Sequence, residues 1–289
     1  MSHTAHSHPD TIDWEAMATH LENNGELQLP VLRRTAARLK ELLGAEKQVR
    51  RVLDVGSGPG VMTCVLAEAF PGAETVAVDG TPALLDRART RAGRLGVGDR
   101  VTVHHTELPE GLTGLGTADV IWSSRVVHHL GDQQAALAGL ADLLTPGGML
   151  AVAEGGLPMR FLPRDIGIGV PGLQARLDAE EARWFQTMRS ELPNSTSVIE
   201  DWPAMFTRAG LKDVGTFTYL LDLRAPLGDT ARSFLHDHLT RMRTGLNESL
   251  DAADLATLDV LIDPDAPEGI LRRPDAFLLS ATTVFTGTR

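Results

Sequence analysis

Residues Val52 to Gly60 read VLDVGSGPG and decide how the central part of this chain folds. Arg51 to Val55 has the apolar pattern of a short buried strand, and Val61 to Phe70 that of a helix, which Pro71 and Gly72 would end. The glycines therefore lie at a turn from a strand to a helix. Such a turn allows a ligand to approach the backbone closely, and the helix behind it offers free N–H groups.

The residues around this turn predict a cofactor with positive charge. A dinucleotide fingerprint, G-x-G-x-x-G, would place its third glycine at position 61, where this chain has Val61. Asp54 at the mouth of the turn would repel a pyrophosphate and attract an ammonium or sulfonium group, and S-adenosylmethionine carries both cations. The pattern D-x-G-x-G-x-G resembles the first motif of class I S-adenosylmethionine-dependent methyltransferases. The alternative is a structural turn without a ligand.

Length, composition and charge limit the classes of function. The 289 residues suffice for one large α/β domain with appendages or for two small domains. The net charge of -11 argues against a nucleic-acid partner. The sequence shows neither a secretory signal nor an apolar run of the ~20 residues that span a bilayer, so we expect a cytoplasmic protein without membrane contact. We assign no function to His3, His6 and His8 in the polar terminal segment.

Strand and helix patterns alternate along the chain, as in a parallel sheet with helices on both faces. The predicted strands are residues 51–55, 74–78, 101–106, 118–123, 149–153, 214–223 and 276–286. The predicted helices are residues 12–23, 27–43, 61–70, 82–95, 132–144 and 202–209, with a helical stretch over 229–262. Asp132 is the expected N-cap of its helix.

These patterns predict a Rossmann-like α/β fold with a seven-stranded, mostly parallel sheet. If the last two strands form an antiparallel hairpin, the sheet matches that of the methyltransferases. We divide the chain into an N-terminal helical lid region (1–50), an S-adenosylmethionine-binding core (51–156), an inserted helical substrate lid (157–200) and a C-terminal part of the sheet with a helical insertion (201–289). The segment interpreted as a lid could equally be a packing appendage, because aromatic residues at helical spacing usually face a core.

A second carboxylate, Asp79, ends the second predicted strand, where it can accept both hydroxyl protons of a ribose. The alternative is a carboxylate at the entry of the next helix, beside Thr81. By resemblance to the methyltransferases, Gly80 packs near the ribose and the end of the third strand borders the adenine, although most relatives carry Gly-Asp where this chain has Thr-Glu. The predicted cofactor-binding residues are Asp54, Gly56, Ser57, Gly58, Gly60, Asp79, Gly80, Thr106, Glu107, Leu108, Ser123 and Ser124.

The run ADVIWSSRVVHHL, residues 118–130, resembles the fourth motif of small-molecule methyltransferases, with Ser123 and Ser124 facing the cofactor crevice. Resemblance to rebeccamycin-type sugar O-methyltransferases implies that the double histidine, His128 and His129, and the acid Glu154 lie at the acceptor. Adjacent helical positions point about 100° apart, so we expect only one histidine to be the base. Each histidine could instead make a structural hydrogen bond.

No metal is expected, because Ser123 and Ser124 cannot replace the magnesium-binding carboxylates of catechol-type enzymes and Cys64 is the only cysteine. We therefore interpret the chain as an S-adenosylmethionine-dependent methyltransferase of a small, natural-product-like acceptor, with O-methylation preferred. It could form a homo-oligomer. The alternatives are an NAD(P)-dependent oxidoreductase and a non-catalytic S-adenosylmethionine-binding protein.

Overall fold

A computed structural model describes residues 13–289, so His3, His6, His8 and the start of the first predicted helix lie outside the described residues. Seven strands form one sheet in the order β3-β2-β1-β4-β5-β7-β6. They are β1 (Arg51–Val55), β2 (Glu74–Asp79), β3 (Val101–His105), β4 (Ala118–Ser124), β5 (Leu144–Arg160), β6 (Lys212–Leu223) and β7 (Leu278–Thr288). Strands β1 to β5 pair in parallel, and β7 runs antiparallel to β5 and β6. The predicted sheet is confirmed.

The helices cover both faces of this sheet. They are α1 (Ala18–Leu43), α2 (Val61–Ala69), α3 (Pro82–Arg94), α4 (Gln133–Asp142), α5 (Leu173–Glu191), α6 (Trp202–Arg208), α7 (Asp229–Gly245) and α8 (Ala252–Ile262). Helices α1 and α2 pack on one face through a core that includes Leu39 and Leu66, and α4 and α6 pack on the other. The side chain of Asp132 accepts the N–H of Ala135, which confirms the predicted N-cap. No helix in the described part of the chain is long and apolar enough to cross a membrane.

The N-terminal region contains one helix where the sequence predicted two. Helix α1 continues past Gly25 and through Pro30 until Gly44 ends it with a φ of 77°. In isolation, a glycine and a proline inside a helix cost ~1 and ~3 kcal/mol. Burial of Val31 and Leu39 against the rest of the protein offsets these penalties. At Gly25 the helix lies so close to α2 that a Cβ atom would be 2.5 Å from Val61 Cγ2.

Strand β5 extends beyond the predicted residues 149–153 into the segment that we assigned to the lid. Its continuation pairs with β7, for example Leu157 with Ala281, after a register shift at the positive-φ residue Gly156. The rest of that segment includes α5, which shares a second apolar core with α7 and α8. Helices α7 and α8 lie between β6 and β7 in the chain, within the predicted helical stretch, and β6 and β7 pair antiparallel as predicted.

Candidate active site

The glycine-rich turn after β1 is tied to the end of β2. The N–H groups of Gly56 and Ser57 donate to the carbonyl of Val78 at 2.8 and 2.9 Å. Gly56, Gly58 and Gly60 have φ values of 73°, 53° and 77°, which side-chain-bearing residues rarely adopt. The turn therefore requires glycine for its backbone conformation.

The three glycines also differ in what surrounds them. A Cβ atom would lie 2.0 Å from Val126 Cγ2 at Gly56 and 2.5 Å from Ala88 Cβ at Gly60, whereas at Gly58 it would meet nothing within 4 Å. Gly56 and Gly60 are thus needed for packing inside the protein. The middle glycine, Gly58, borders open space, where a ligand can approach the backbone.

The carboxylate of Asp79 joins this turn to the start of α3. Its Oδ2 accepts the N–H of Gly58 at 2.8 Å, and its Oδ1 accepts the N–H of Thr81 at 2.9 Å. The bond to Thr81 matches the helix-entry role that we considered. Each carboxylate oxygen has two lone pairs, so one site on each oxygen remains for a ribose hydroxyl.

Asp54 lies beneath the turn and not at its mouth, because the strand that carries it is buried on both faces. Only 2% of Asp54 is exposed, and Thr63 Oγ1 donates to its Oδ2 at 2.5 Å. Burial raises the pKa of the Asp54 carboxyl to about 7; the Thr63 hydrogen bond opposes this shift and the charge of Asp79 adds to it. Near pH 7 about half of the free protein molecules therefore carry a proton on Asp54, and a neighbouring cation would displace it.

His128 and Glu154 form a hydrogen-bonded pair at the carboxyl edge of the sheet. Residues 127–129 form a short 3₁₀ turn after β4, and Glu154 lies on the neighbouring β5. His128 Nδ1 is 2.7 Å from Glu154 Oε2, and Glu154 Oε1 accepts the N–H of Val127 at 3.1 Å. A carboxylate only accepts hydrogen bonds, so the proton of a neutral His128 resides on Nδ1 and leaves Nε2 as an acceptor.

A methyltransferase domain model matches residues 53–150 of the chain. The ubiquinone biosynthesis O-methyltransferase of Ruegeria pomeroyi is 30% identical over 193 residues, which cover 55% of this chain and 75% of the relative. The chain belongs to the class I S-adenosylmethionine-dependent methyltransferases. This membership confirms the predicted class of enzyme and its cofactor, and it removes the nicotinamide alternative.

Other similarities extend along most of this methyltransferase. A trans-aconitate 2-methyltransferase of Streptomyces coelicolor is 28% identical over 221 residues, 74% of this chain and 66% of the relative. The solved structure of a Nostoc punctiforme protein described as an O-methyltransferase superposes with a TM-score of 0.52 at 20% identity, covering 74% of this chain and 60% of that one. The chain spans only 24% and 37% of the lengths of relatives from Synechococcus and Methylobacterium radiotolerans.

The predicted adenine side of the methyltransferase has one carboxylate beside Gly80. A Cβ atom on Gly80 would lie 2.7 Å from Glu107 Oε2, so the carboxylate of Glu107 lies against the backbone at Gly80. The N–H of Thr106 donates to the carbonyl of Asp79 at 3.1 Å, and Leu108 packs on the core under α4. Glu107 is therefore the member of the predicted Thr106-Glu107-Leu108 group that presents a charged side chain beside Gly80, next to the predicted ribose position.

The two serines at the end of β4 lie in different surroundings. Ser123 is 0% exposed, and its hydroxyl has no hydrogen-bond partner in residues 13–289. It therefore lies within the sheet and does not face an open crevice. Ser124, the last residue of the strand, is partly exposed and remains the serine that can contact a ligand.

The structure distinguishes the two histidines that the sequence left equivalent. The ring centroid of His129 lies 4.2 Å from that of His128 and 5.3 Å from that of Trp14, which meets it edge-on. Burial, together with the charges of His128 and Arg189, lowers the pKa of His129 to about 4. His129 is thus held neutral by packing and, within residues 13–289, has no carboxylate partner like that of His128.

Helix α5 supplies site residues that the sequence analysis missed. Arg189 Nη1 donates to the carbonyls of His128 and Leu130 at 2.8 and 2.7 Å, and the ring of Phe185 lies 5.4 Å from that of His128. The partners of Arg189 are backbone carbonyls about 60 residues away, so no motif could have revealed them. The helix thereby holds the histidine turn in place.

The buried carboxyl of Asp54 leads to a prediction about pH. If Asp54 receives the amino group of S-adenosylmethionine, its pKa of about 7 falls on binding, and the bound state releases a proton. Affinity should then be full above pH 7 and decrease below it, by ~8-fold between pH 7.5 and pH 6. Calorimetry with S-adenosylhomocysteine measures this, and Asp54→Asn, which cannot ionise, should bind with little pH dependence. If Asp54→Asn loses affinity at low pH as strongly as the parent protein does, the assignment of Asp54 to the amino group is contradicted.

Proposed function

We propose that the protein transfers a methyl group from S-adenosylmethionine to a hydroxyl of a small, natural-product-like molecule, with His128 as general base. The observation that carries this proposal is the 2.7 Å contact between His128 Nδ1 and Glu154 Oε2. It leaves Nε2 free to accept the hydroxyl proton, while Glu154 fixes the tautomer and stabilises the imidazolium that forms. His129 takes no part as a base.

The residues around the glycine turn support a role in holding the cofactor. Asp79 would accept the ribose hydroxyls, Gly58 would allow close approach, and Asp54 would balance the amino group from below. When bound, S-adenosylmethionine supplies an electrophilic methyl group on a sulfonium. Placing the acceptor oxygen in line with that methyl group can lower the barrier by ~7–11 kcal/mol, whereas a general base contributes ~10²–10⁴-fold in rate.

The start of the described chain and α5 are proposed to cover the acceptor. Two contacts support this role: Trp14 meets His129, and Phe185 meets His128. Both aromatic rings come from the regions that we assigned to lids. They would exclude water from the histidine turn and shape the space for the acceptor.

A screen for methylated products tests the proposed function. Purified protein and S-adenosylmethionine would be incubated with sugars, phenols, polyketide-like compounds and, because relatives are named for it, trans-aconitate. Mass spectrometry would detect a product heavier by one methyl group, and cleavage by base would separate methyl esters from methyl ethers. Tight binding of S-adenosylhomocysteine without any product would favour the non-catalytic alternative.

Methyl transfer is expected to survive metal chelation. The described part of the chain contains no group of three or more His, Cys, Asp or Glu residues that could hold a metal ion. Turnover measured with excess EDTA should stay within about twofold of the untreated rate, since the mechanism uses the His128–Glu154 pair. Loss of activity that returns on adding magnesium or zinc would contradict this expectation.

A further inference from the structure

A cluster of basic and aromatic side chains lies between α1 and α7, away from the His128–Glu154 pair. Phe234, His238 and Arg241 follow one another at helical spacing on one face of α7. The ring of His20, in α1, stacks on that of Phe234 at a centroid distance of 4.6 Å. Arg241 Nη2 lies 2.5 Å from the ring nitrogens of His20. Phe161 meets His238 edge-on at 5.6 Å. These five residues are called the Arg241 cluster below.

The half-buried guanidinium of Arg241 makes no ion pair with any carboxylate in residues 13–289. The carboxylate of Asp237, on the same helix, lies near a different residue: its Oδ1 is 3.6 Å from Nδ1 of His236. By contrast, two other arginines, both with little exposure, each hold a carboxylate: Arg91 with Glu26 and Arg273 with Asp275. Removing a charge from water without an opposite charge beside it is costly, so an added anion at this guanidinium would be stabilised.

The histidines of the cluster respond to this unbalanced charge. Burial and the charge of Arg241 together lower the pKa of His20 to about 3 and that of His238 to about 4. Burial likewise lowers the pKa of Arg241, while the charge of Asp237 opposes that shift. An anion beside the three groups would favour the charged form of each.

The cluster is placed where it could hold one end of an acceptor. Trp14 contacts His129 at the histidine turn, and His20 follows six residues later along the same segment. Residues 14–17 form a turn before α1 begins at Ala18, and the six residues from Trp14 to His20 can span at most ~20 Å. The segment that begins with Trp14 and continues into α1 thus borders both the histidine turn and the Arg241 cluster.

We propose that the Arg241 cluster binds an anionic group, a carboxylate or a phosphate, of the methyl acceptor whose hydroxyl lies at His128. The role of the acceptor rests on the proposed function, but the anion site itself does not. With a net charge of -11 the protein as a whole repels anions, so a local receptor is needed to hold one. The guanidinium would donate two parallel hydrogen bonds, and the imidazoles would add further donors.

Direct binding measurements test this site without any turnover. The protein, saturated with S-adenosylhomocysteine, would be titrated by calorimetry with inorganic phosphate, with citrate and with neutral glycerol. We expect phosphate or citrate to bind and glycerol not to bind, and the tighter of the two identifies the anionic group. Arg241→Met should weaken anion binding at least ~10-fold. The control Arg243→Met removes the same charge from α7 at a residue paired with Asp259, and it should bind like the parent.

A second measurement needs no variant. Addition of the tighter anion to the parent protein should shift the side-chain nitrogen resonances of His20 and His238 toward the imidazolium values, leaving those of His105 unchanged. No binding by the parent, equal binding by Arg241→Met, or unmoved histidine resonances would overturn the proposal. A failed product screen with intact anion binding would instead count against the proposed function alone.

Discussion

Replacing His128 with alanine is expected to lower turnover ~10²–10⁴-fold while the affinity for S-adenosylhomocysteine stays within about twofold. The reason is that His128 Nε2 would accept the proton only as the methyl group arrives, so its interaction belongs to the transition state. The contact of Nδ1 with Glu154 prepares that nitrogen but touches no cofactor residue. Single-turnover rates and calorimetry on the same preparation measure the two quantities.

Two further variants separate general-base catalysis from packing. Glu154→Gln keeps the shape of the pair but removes the negative charge that stabilises the imidazolium, so turnover should fall by at least ~10-fold. His129→Ala removes a neighbouring imidazole that pairs with no carboxylate in the described part of the chain, and turnover should fall far less than in His128→Ala. If His128→Ala and Glu154→Gln both keep turnover within a few-fold of the parent, positioning alone must account for the reaction.

Replacing Asp79 with alanine is expected to weaken binding of S-adenosylhomocysteine by ~10–150-fold, as the loss of charge-assisted hydrogen bonds costs ~1.5–3 kcal/mol. Two effects act together in this variant. The ribose hydroxyls lose their acceptor, and the N–H of Gly58 loses the bond that holds the glycine turn. Calorimetry at pH 7.5, where the Asp54 carboxyl is mostly ionised, measures the change.

The control for this variant is Asp86→Ala on α3, whose carboxylate makes an exposed ion pair with Arg89. It removes the same charge from a nearby position, and binding should stay within about twofold of the parent, because exposed ion pairs contribute little. Equal affinity in Asp79→Ala and the parent would show that the ribose lies elsewhere.

The sequence predicted well those features that neighbouring residues determine. The bounds of β1 agree with the prediction, since a short apolar run before a glycine-rich turn has few alternatives to a buried strand. Asp132 was recognised as an N-cap because its partner, the N–H of Ala135, lies three residues away. The glycines of the turn were recognised for the same reason, and their positive φ values agree with that prediction.

Prediction failed where distant contacts decide the local structure. Helix α1 is continuous through Pro30 because its apolar face packs along the rest of the protein. Strand β5 is longer than its sequence pattern indicates because β7 supplies partners as far as Arg160. Asp54 was expected at the mouth of the turn, yet a strand covered on both faces buries it.

The sequence by itself determined the alternation of strands and helices from β1 to β5, the glycine turn and the carboxylate at the end of β2, because these depend on residues close together in the chain. Only the tertiary structure decided which histidine is paired with an acid. Parallel pairing of β4 and β5 brings His128 and Glu154 together across 26 residues. Packing of α1 on α7 brings Arg241 to His20 across 221 residues. Contacts at such separations arise from the packing of whole elements, and local periodicity carries no information about them.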